Sequence, residues 1–230
     1  MHTHGNPKVS SSAEEYLLTL YRLESSGERA GSSQLAKMFG VKAPSVTGML
    51  RRLSERGWVR YQRYRPPELT EEGRRVAVYL VRRHRLLETF LVRFLDYSWE
   101  EVHEEVQQLE HTVSDSLLNH IDRKLGHPNY DPHGDPIPDE HGNMPEHKLV
   151  PLTRLEEGSQ AEVGRVDNRS RHLLTVLGEI GAFPGANVTR LAGTSNGKLS
   201  VRVGRREIQI DGDVARLIWV KPNRSGSAAS

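Results

Sequence analysis

Apolar side chains recur every three or four residues through the first half of the chain, which is the period of helices with one buried face. One such stripe follows Ser12, which has the capping-box spacing to Glu15, and predicts a first helix from Ser12 to about Gly27. From Leu149 onward the apolar residues fall in short runs punctuated by glycine, which favours β-strands. The pattern predicts a mainly α protein with a small β domain.

Two short helices joined by a tight turn are predicted next. The first covers residues 32–40, and the second begins at Pro44 and runs to about Arg56. Its buried side would carry Val46, Leu50 and Leu53. This arrangement predicts a helix-turn-helix whose second helix enters the major groove of double-stranded DNA. The side chains expected to face the DNA are Lys42, Pro44, Ser45, Thr47, Gly48, Arg51 and Arg52.

A basic segment follows the second of these helices. Residues 58–65 alternate apolar or aromatic side chains with polar ones, and the prolines at 66 and 67 end the pattern. We interpret the segment as a strand forming a wing, from which Arg63 and Arg65 reach phosphates or a narrow minor groove. Residues 1–67 have eleven basic and five acidic side chains, which suits a polyanion, although a solvated face explains such an excess equally well.

Two longer helices are predicted after the wing. Thr70 would cap a helix from Glu71 to about Leu95, and Ser98 would start another. Apolar residues of the second keep close to a seven-residue repeat: Trp99, Val102, Val106, Leu109, Val113 and Leu117. This seam fits a homodimer interface, which paired DNA half-sites also require, but packing within one subunit would explain it equally well.

These two helices also carry imidazoles and carboxylates at helical spacing. His84 and Glu88 are four residues apart. The second helix has a stripe at i, i+4, i+7 and i+8 that consists of His103, Gln107, Glu110 and His111. The chain has no cysteine, so only nitrogen and oxygen donors are available, and residues 96–146 have thirteen acidic residues against two basic ones. The sequence therefore predicts a site for a hard or borderline divalent cation.

Two other functions would use the same residues. A metal-dependent hydrolase would activate water on a cation held by His84, Glu88 and His103. The segment 103–107 lacks the second imidazole of the zinc-protease motif H-E-x-x-H, and no nucleophile or general base beyond the ligands is evident. A regulator with an organic effector is the other alternative, and in it the polar stripes would be structural.

Residues 126–145 are rich in Pro, Gly, Asp and His and have no period, so they predict a linker. Four histidines in or beside it invite a metal interpretation: His127, His133, His141 and His147. Because such a loop holds ligands poorly against the entropy of ordering them, we do not expect them to bind a metal. The β-runs beyond it are 161–166, 187–191, 199–203, 207–210 and 217–220, with a helix at 173–180, and they fit a small barrel.

The whole arrangement resembles the diphtheria toxin repressor family of metal-dependent transcriptional regulators, including its manganese-responsive branch. The most specific matches are residues 84–88 (His-Arg-Leu-Leu-Glu), residues 102–105 (Val-His-Glu-Glu), the pair Glu110-His111 and the linker residues 132–138. The resemblance implies five segments: a winged-helix DNA-binding domain at 1–70, a helical dimerisation and metal-binding domain at 71–127, a linker at 128–148, an SH3-like domain of the FeoA type at 149–222 and a disordered tail at 223–230.

The same resemblance implies two metal sites per subunit. The first would consist of His84, Glu88 and His103. The second would consist of Glu15, Gln107, Glu110 and His111. Asp167, in the third domain, is the acidic residue nearest to a position that could add a ligand to the first site. Iron-responsive members have Met and Cys where this chain has Glu15 and Gln107, so the carboxylate favours Mn(II), with Fe(II) as the alternative. Glu15 would equally well complete the cap of the first helix.

No signal peptide or membrane span is indicated. The N-terminus has no apolar stretch of the required kind, and no run approaches the ~20 apolar residues of a span, so we expect a cytoplasmic protein. The hypothesis is a homodimeric, manganese-activated repressor of metal-homeostasis genes that binds operator DNA and has no membrane partner, no small organic substrate and no enzymatic activity.

Overall fold

The structure, a computed structural model, describes residues 9–223 except 147, 169 and 196. The predicted tail beyond Asn223 lies outside the described residues, and so does His147. The helices are α1 (Ser11–Ser25), α2 (Ser32–Met38), α3 (Ala43–Glu55), α4 (Glu71–Leu95), α5 (Val102–Leu109), α6 (Asp115–Leu125), α7 (Arg171–Glu179) and α8 (Gly212–Ala215). The strands are β1 (Val59–Arg60), β2 (Glu68–Leu69), β3 (Val150–Pro151), β4 (Gln160–Val166), β5 (Asn187–Ser195), β6 (Lys198–Val203), β7 (Arg206–Asp211) and β8 (Ile218–Pro222).

The chain divides into two compact units, one of residues up to 83 with 140–143 and the other of residues 84–139 with 144 onward. The first unit has an apolar core formed by α1, α2, α3, the strand β1 and the beginning of α4. Val46, Leu50 and Leu53 of α3 are buried there, and Pro44 lies in the first turn of that helix. The predicted helix-turn-helix is therefore confirmed.

Helix α1 begins earlier than its sequence indicated. Ser10 is the N-cap residue, and its side chain makes no capping hydrogen bond. Ser12 lies inside the helix, so the predicted capping box between Ser12 and Glu15 is wrong. The backbone carbonyl of Ser10 already accepts the N–H groups of Ala13 and Glu14, at 2.8 and 2.9 Å, which starts the helix one residue before Ser12.

The wing is shorter than predicted. Only β1 and β2 pair, antiparallel, with Val59 opposite Leu69 and Arg60 opposite Glu68. The prediction of a continuous strand over residues 58–65 is wrong, because the chain turns at Gln62, where the N–H of Arg65 donates to the Gln62 carbonyl at 3.2 Å. The alternating pattern therefore extends beyond the strand into a turn, and this turn places Arg63 and Arg65 at the tip of the hairpin.

Thr70 caps α4, as predicted. Its Oγ1 accepts the N–H of Gly73 at 3.0 Å and donates to the carbonyl of Gly57 at 2.6 Å. Glycine is required at position 73, because a Cβ there would lie 1.8 Å from the backbone oxygen of Trp58. The cap and this close approach fix the start of α4 against the end of α3 and β1.

The second unit contains α5 and α6 where one continuous helix was predicted. Helix α5 ends at Leu109, and α6 starts after Ser114, whose Oγ accepts the N–H of Leu117 at 3.2 Å. The heptad interpretation is therefore wrong beyond Leu109: the cap at Ser114 sets a new helix, in which Leu117 is exposed.

The C-terminal part of the second unit is a six-stranded antiparallel sheet in the order β3-β8-β4-β5-β6-β7. Each predicted β-run lies largely within one of these strands, and the predicted helix corresponds to α7. The register of β4 and β8 shifts between Val163 and Arg165, which bends the sheet. No described helix is both long and apolar enough to cross a membrane.

Candidate metal centre and nucleic-acid interface

The polar stripes of α4 and α5 meet at Glu88. His84 Nε2 lies 3.1 Å from Glu88 Oε1 and 3.2 Å from His103 Nδ1. His103 Nδ1 lies 3.3 Å from the same carboxylate oxygen. The side chain of Glu88 is fully buried, whereas that of His103 is 39% exposed. The cluster is therefore accessible to solvent through His103, while its central carboxylate is inside the protein.

Two more residues of the α5 stripe contact this cluster. Glu110, at the C-terminal end of α5, has its Oε2 2.8 Å from His84 Nδ1. Gln107 Nε2 lies 3.1 Å from His103 Nε2. His111 is exposed. Glu110 and Gln107, both expected from the resemblance to belong to the second site, thus contact histidines of the first.

The carboxylates around His84 set its protonation. Burial alone lowers the pKa of His84, but the charge of Glu88 and the hydrogen bonds that the ring donates to Glu110 and Glu88 outweigh burial and raise the pKa to about 10. Burial alone raises the pKa of Glu88, yet the neighbouring imidazoles of His84, His103 and His133 hold it below its usual range. An imidazolium between two carboxylates therefore offsets part of their negative charge within the protein.

A second group of donors shares Glu88 and comes from the predicted linker. Asp131 and His133 are buried, and one ligand atom from each lies within 4.8 Å of one on Glu88. His133 Nδ1 is 3.9 Å from Glu88 Oε2. These two atoms and Asp131 Oδ2 are buried and form no hydrogen bond within the described chain. The expectation that this loop would hold its histidines loosely is therefore wrong for His133.

A backbone carbonyl orients the ring of His133. Its Nε2 lies 2.8 Å from the oxygen of Trp99, and because a carbonyl oxygen only accepts hydrogen bonds, Nε2 carries the proton. In a neutral imidazole the lone pair is then on Nδ1, the atom that faces Glu88. The indole of Trp99 also stacks on this ring, with centroids 5.7 Å apart. His133 thus presents a nitrogen suited to binding a cation.

Hydrogen bonds within the loop explain its rigidity. Asp131 Oδ1 accepts the N–H groups of His133 and Asp135, each at 2.9 Å. Arg85 donates to the carbonyl of Pro136 and lies 3.7 Å from the carboxylates of both Asp131 and Asp135. An aspartate that accepts its own following N–H groups forms a turn, so Asp131 and His133 are held together before any ligand arrives.

The environment of Asp131 also changes the pKa of its carboxyl group. Burial, followed by the negative charges of Glu88 and Asp135, raises the pKa of Asp131 well above its ordinary value, and Arg85 opposes this only in part. Asp131 and Glu88 are therefore two carboxyl groups that share one buried volume. Only a positive charge placed between them would let both ionise.

Sequence reasoning missed Asp131, and it considered His133 as a metal ligand but rejected it. The available signal was the run Asp131 to Asp135, in which an aspartate precedes a histidine by two residues in a proline- and glycine-restricted turn. That spacing indicates a rigid turn. It does not indicate that the turn would be buried beside Glu88, since that depends on residues far away in the chain.

The remaining predicted ligands are Glu15 and Asp167. Glu15 is exposed on α1, whereas its neighbour Glu14 is buried and its Oε1 accepts a hydrogen bond from Arg83 Nη2 at 2.7 Å. Asp167 is buried, and its N–H donates to the carbonyl of Leu217 at 2.9 Å. Metal binding by Glu15 and Asp167 stays a prediction.

The donors around Glu88 fit a divalent cation. They are imidazole nitrogens and carboxylate oxygens, which suit manganese, iron and related ions. Three of them are buried polar atoms without hydrogen-bond partners among the described residues, an arrangement that costs free energy in the protein by itself and that a cation would relieve.

The winged helix exposes the side chains predicted to face DNA. The exposed ones are Lys42, Pro44, Ser45, Arg51, Arg52, Arg63 and Arg65, and the half-buried ones are Thr47 and Gly48. Thr47 and Arg51 of α3 line one cleft together with residues 63–66 of the wing. The side chains lining this cleft include three arginines and one glutamate, so it suits a polyanion such as the DNA backbone.

A winged helix-turn-helix followed in the chain by helices that carry a histidine–carboxylate cluster defines a class, the metal-responsive DNA-binding regulators. Three family models match successive parts of the chain. They are the N-terminal DNA binding domain of iron dependent repressors at residues 8–66, their metal binding and dimerisation domain at 70–139, and the FeoA domain at 150–222. The chain belongs to the iron-dependent repressor family, which includes the diphtheria toxin repressor.

Individual relatives agree with these matches. The iron-dependent repressor IdeR of Mycobacterium tuberculosis is 32% identical over 227 residues, covering 93% of this chain and 98% of IdeR. A solved manganese-dependent transcriptional repressor in complex with manganese is 36% identical, with a TM-score of 0.82, over 92% of this chain and 100% of that one. ScaR with bound Cd2+ is 32% identical, with a TM-score of 0.76, over 91% and 98%. The predicted family and three-part fold are confirmed.

Proposed function

We propose that this protein is a metal-dependent transcriptional repressor that binds double-stranded DNA as a homodimer. The observation that carries the proposal is the buried group of Glu88, Asp131 and His133, which bring one ligand atom each within 4.8 Å of one another and each have a buried polar atom without a hydrogen bond among the described residues. Membership of the iron-dependent repressor family and the basic cleft of the winged helix support the same function. The relatives are repressors, which supports this function over the hydrolase alternative.

Manganese is the cation we propose, with Fe(II) as the alternative. The absence of cysteine and the nitrogen and oxygen donors support a hard or borderline ion, and a similar solved repressor is described as manganese-dependent. When bound, the cation supplies the positive charge that two adjacent carboxylates need. Two sites per subunit, with Glu15 and His111 in the second, stay part of the proposal.

The residues around Glu88 would hold the cation through donors from three segments. His84 and Glu88 come from α4, His103 from α5, and Asp131 and His133 from the loop after α6. To bind, His84 and Asp131 would each give up a proton, since only an uncharged imidazole and an ionised carboxylate have free lone pairs.

Helix α4 provides a physical connection to DNA binding. Its first turns contribute Val76, Ala77 and Leu80 to the core of the winged helix, and the same helix carries His84 and Glu88 further along. Ligation therefore restrains a helix that is also part of the DNA-binding unit. A metal shifts DNA affinity only if it favours one arrangement, and a coupling of about 1–3 kcal/mol is typical.

The homodimer is proposed to use an exposed apolar surface of the second unit. The candidate side chains are Phe94, Leu95, Tyr97 and Leu117, which are 37–53% exposed. Water contact at four large apolar side chains favours association with a second copy. Leu117→Glu should shift the sedimentation coefficient to that of a monomer. Asn119→Glu, an exposed residue of the same helix, should not.

DNA binding with and without metal tests the proposal as a whole. Duplexes would be selected from a random-sequence library with the parent protein and Mn2+, and their affinity measured by fluorescence anisotropy with Mn2+ or with chelator. We expect affinity to rise about tenfold or more with Mn2+. Equal affinity in both conditions would refute the proposal, and metal-dependent turnover of a phosphoester substrate would favour the hydrolase instead.

A further inference from the structure

The tip of the wing presents an aromatic side chain to solvent. Tyr64 lies between Arg63 and Arg65 and is 89% exposed. The guanidinium of Arg63 lies over its ring, 4.9 Å from the centroid, so the ring is oriented by a cation–π contact. A large aromatic side chain at such a position gains little from burial in the folded protein.

The backbone at Tyr64 is in a conformation that tyrosine rarely adopts. Its φ is +69°, at the third position of the turn closed by Gln62 and Arg65. This is the place where a turn of this kind favours glycine. The other non-glycine residues with positive φ in the described chain are Asp96 and His127, which are types that tolerate this region. Neither packing nor backbone preference therefore explains a tyrosine at position 64.

The position of Tyr64 relative to α3 indicates what the side chain is for. Tyr64, Arg63 and Arg65 line the same cleft as Thr47 and Arg51 of the helix expected to enter the major groove. A strained residue beside a binding surface is a reason to look for function there. The two flanking arginines would draw the tip toward phosphates on either side of a groove.

We infer that Tyr64 is a specificity-determining residue that the wing presents to the DNA minor groove beside the segment read by α3. This inference rests on the proposed function. The arginines beside the tip favour the negative potential of a narrow, A·T-rich minor groove. The tyrosine hydroxyl donates to the acceptors that A·T pairs offer there, whereas the 2-amino group of guanine obstructs the ring. The protein therefore prefers A·T pairs at positions that no major-groove contact reads.

Three variants separate this role from a structural one. Tyr64→Gly removes the ring and relieves the strained φ, Tyr64→Phe removes only the hydroxyl, and Gln62→Gly adds flexibility to the same turn as the matched control. Each would be tested with Mn2+ on a duplex selected by the parent protein, on that duplex with its flanking A·T pairs replaced by G·C pairs, and on the G·C form with inosine in place of the flanking guanines. Inosine removes the 2-amino group from the minor groove and leaves the pattern of hydrogen-bonding groups in the major groove unchanged.

We expect Tyr64→Gly to melt at or above the temperature of the parent while its affinity for the selected duplex falls about tenfold. Inosine in the flank should strengthen binding by the parent and by Gln62→Gly, and should have no effect on Tyr64→Gly. Tyr64→Phe should retain the inosine effect with reduced affinity, since the ring remains.

The outcomes that overturn the inference differ from those that overturn the proposed function. If the parent binds the duplex and Tyr64→Gly binds equally well, or if Tyr64→Gly melts at a lower temperature, the ring is not a specificity element. Loss of the inosine effect in Gln62→Gly would have the same meaning. If the parent fails to bind any duplex with Mn2+, it is the proposed function that fails.

Discussion

Two groups of donors share Glu88, and they differ in whether their polar atoms have hydrogen-bond partners. In the helical group, His84 and His103 form hydrogen-bonding contacts with Glu88 and, in the case of His84, with Glu110. In the loop group, Asp131 Oδ2, His133 Nδ1 and Glu88 Oε2 are buried and form no hydrogen bonds among the described residues. The helical group is held together by a proton on His84, whereas the loop group is not.

A cation would add most to stability at the loop group. A buried polar atom without a partner costs about 1–3 kcal/mol, and the loop group has three of them with Glu88 included. Binding releases a proton from His84 in the helical group and from Asp131 in the loop group, so proton release does not favour the helical group. We therefore expect the loop group to contribute strongly to metal affinity and little to the stability of the protein without metal.

The largest effect should follow from changing the residue that both groups share. Glu88→Gln should lower Mn2+ affinity by more than about 100-fold, because removing groups that only orient ligands already costs about 10–100-fold. Isothermal titration calorimetry measures this directly. Glu71→Gln, an exposed carboxylate of the same helix, should bind Mn2+ like the parent. Unchanged binding in Glu88→Gln would show that neither group is a metal site.

Stability without metal should separate the two groups. His84→Ala leaves Glu88 and Glu110 without their positive partner and should lower the free energy of unfolding by about 3–5 kcal/mol. Asp131→Asn keeps the acceptor for the N–H groups of His133 and Asp135 and replaces a carboxyl group, whose neutral form is favoured there, by a neutral amide of similar size, so it should change stability by less than about 1 kcal/mol.

Chemical denaturation with chelator present gives both values. His120→Ala, an exposed helical histidine, is the control for His84. A large destabilisation by Asp131→Asn, or none by His84→Ala, would reverse the comparison between the two groups.

The pH dependence tests the helical group. The pKa of His84, raised from 6.5 to about 10, means that its stabilisation without metal is fully present below pH 6.5 and is lost as the pH rises through about 10. Metal binding needs the deprotonated ring, so Mn2+ affinity should rise about tenfold per unit roughly between pH 7 and 9.

Calorimetry in buffers of different ionisation enthalpy counts the protons released on binding. The count should decrease by about one in His84→Gln. An equal count in the parent and the variant would mean that His84 carries no proton before metal binds.

The smallest effect is expected at the exposed edge of the helical group. Gln107 contacts His103 Nε2, and Gln107→Glu adds a carboxylate there, which should strengthen Mn2+ binding about fivefold, or about 1 kcal/mol. Gln108→Glu, the exposed neighbour, makes the same charge change and should have a smaller effect. If both variants strengthen binding equally, the gain comes from net charge rather than from ligation.

Much of the fold was predictable because it depends on short-range patterns. The period of apolar residues located α3 and α4, and the buried positions Val46, Leu50 and Leu53 followed from it. The spacing of four between His84 and Glu88 placed both on one face of α4, and nothing beyond helix geometry was needed for that. Boundaries were less predictable, since the starts of α1 and α6 depend on which of several serines acts as the cap.

The helix-turn-helix, the polar stripes of α4 and α5 and the lack of cysteine ligands followed from the order of the amino acids alone. The closeness of Asp131 and His133 to Glu88 became evident only from the folded chain. Their placement depends on the Trp99 carbonyl and on the N–H of Val166, which donates to the carbonyl of His133 at 2.9 Å. The period of apolar residues indicates which residues share a face of one helix or strand. The burial of this loop depends on groups more than thirty residues away in the chain, and no local sequence pattern encodes such contacts.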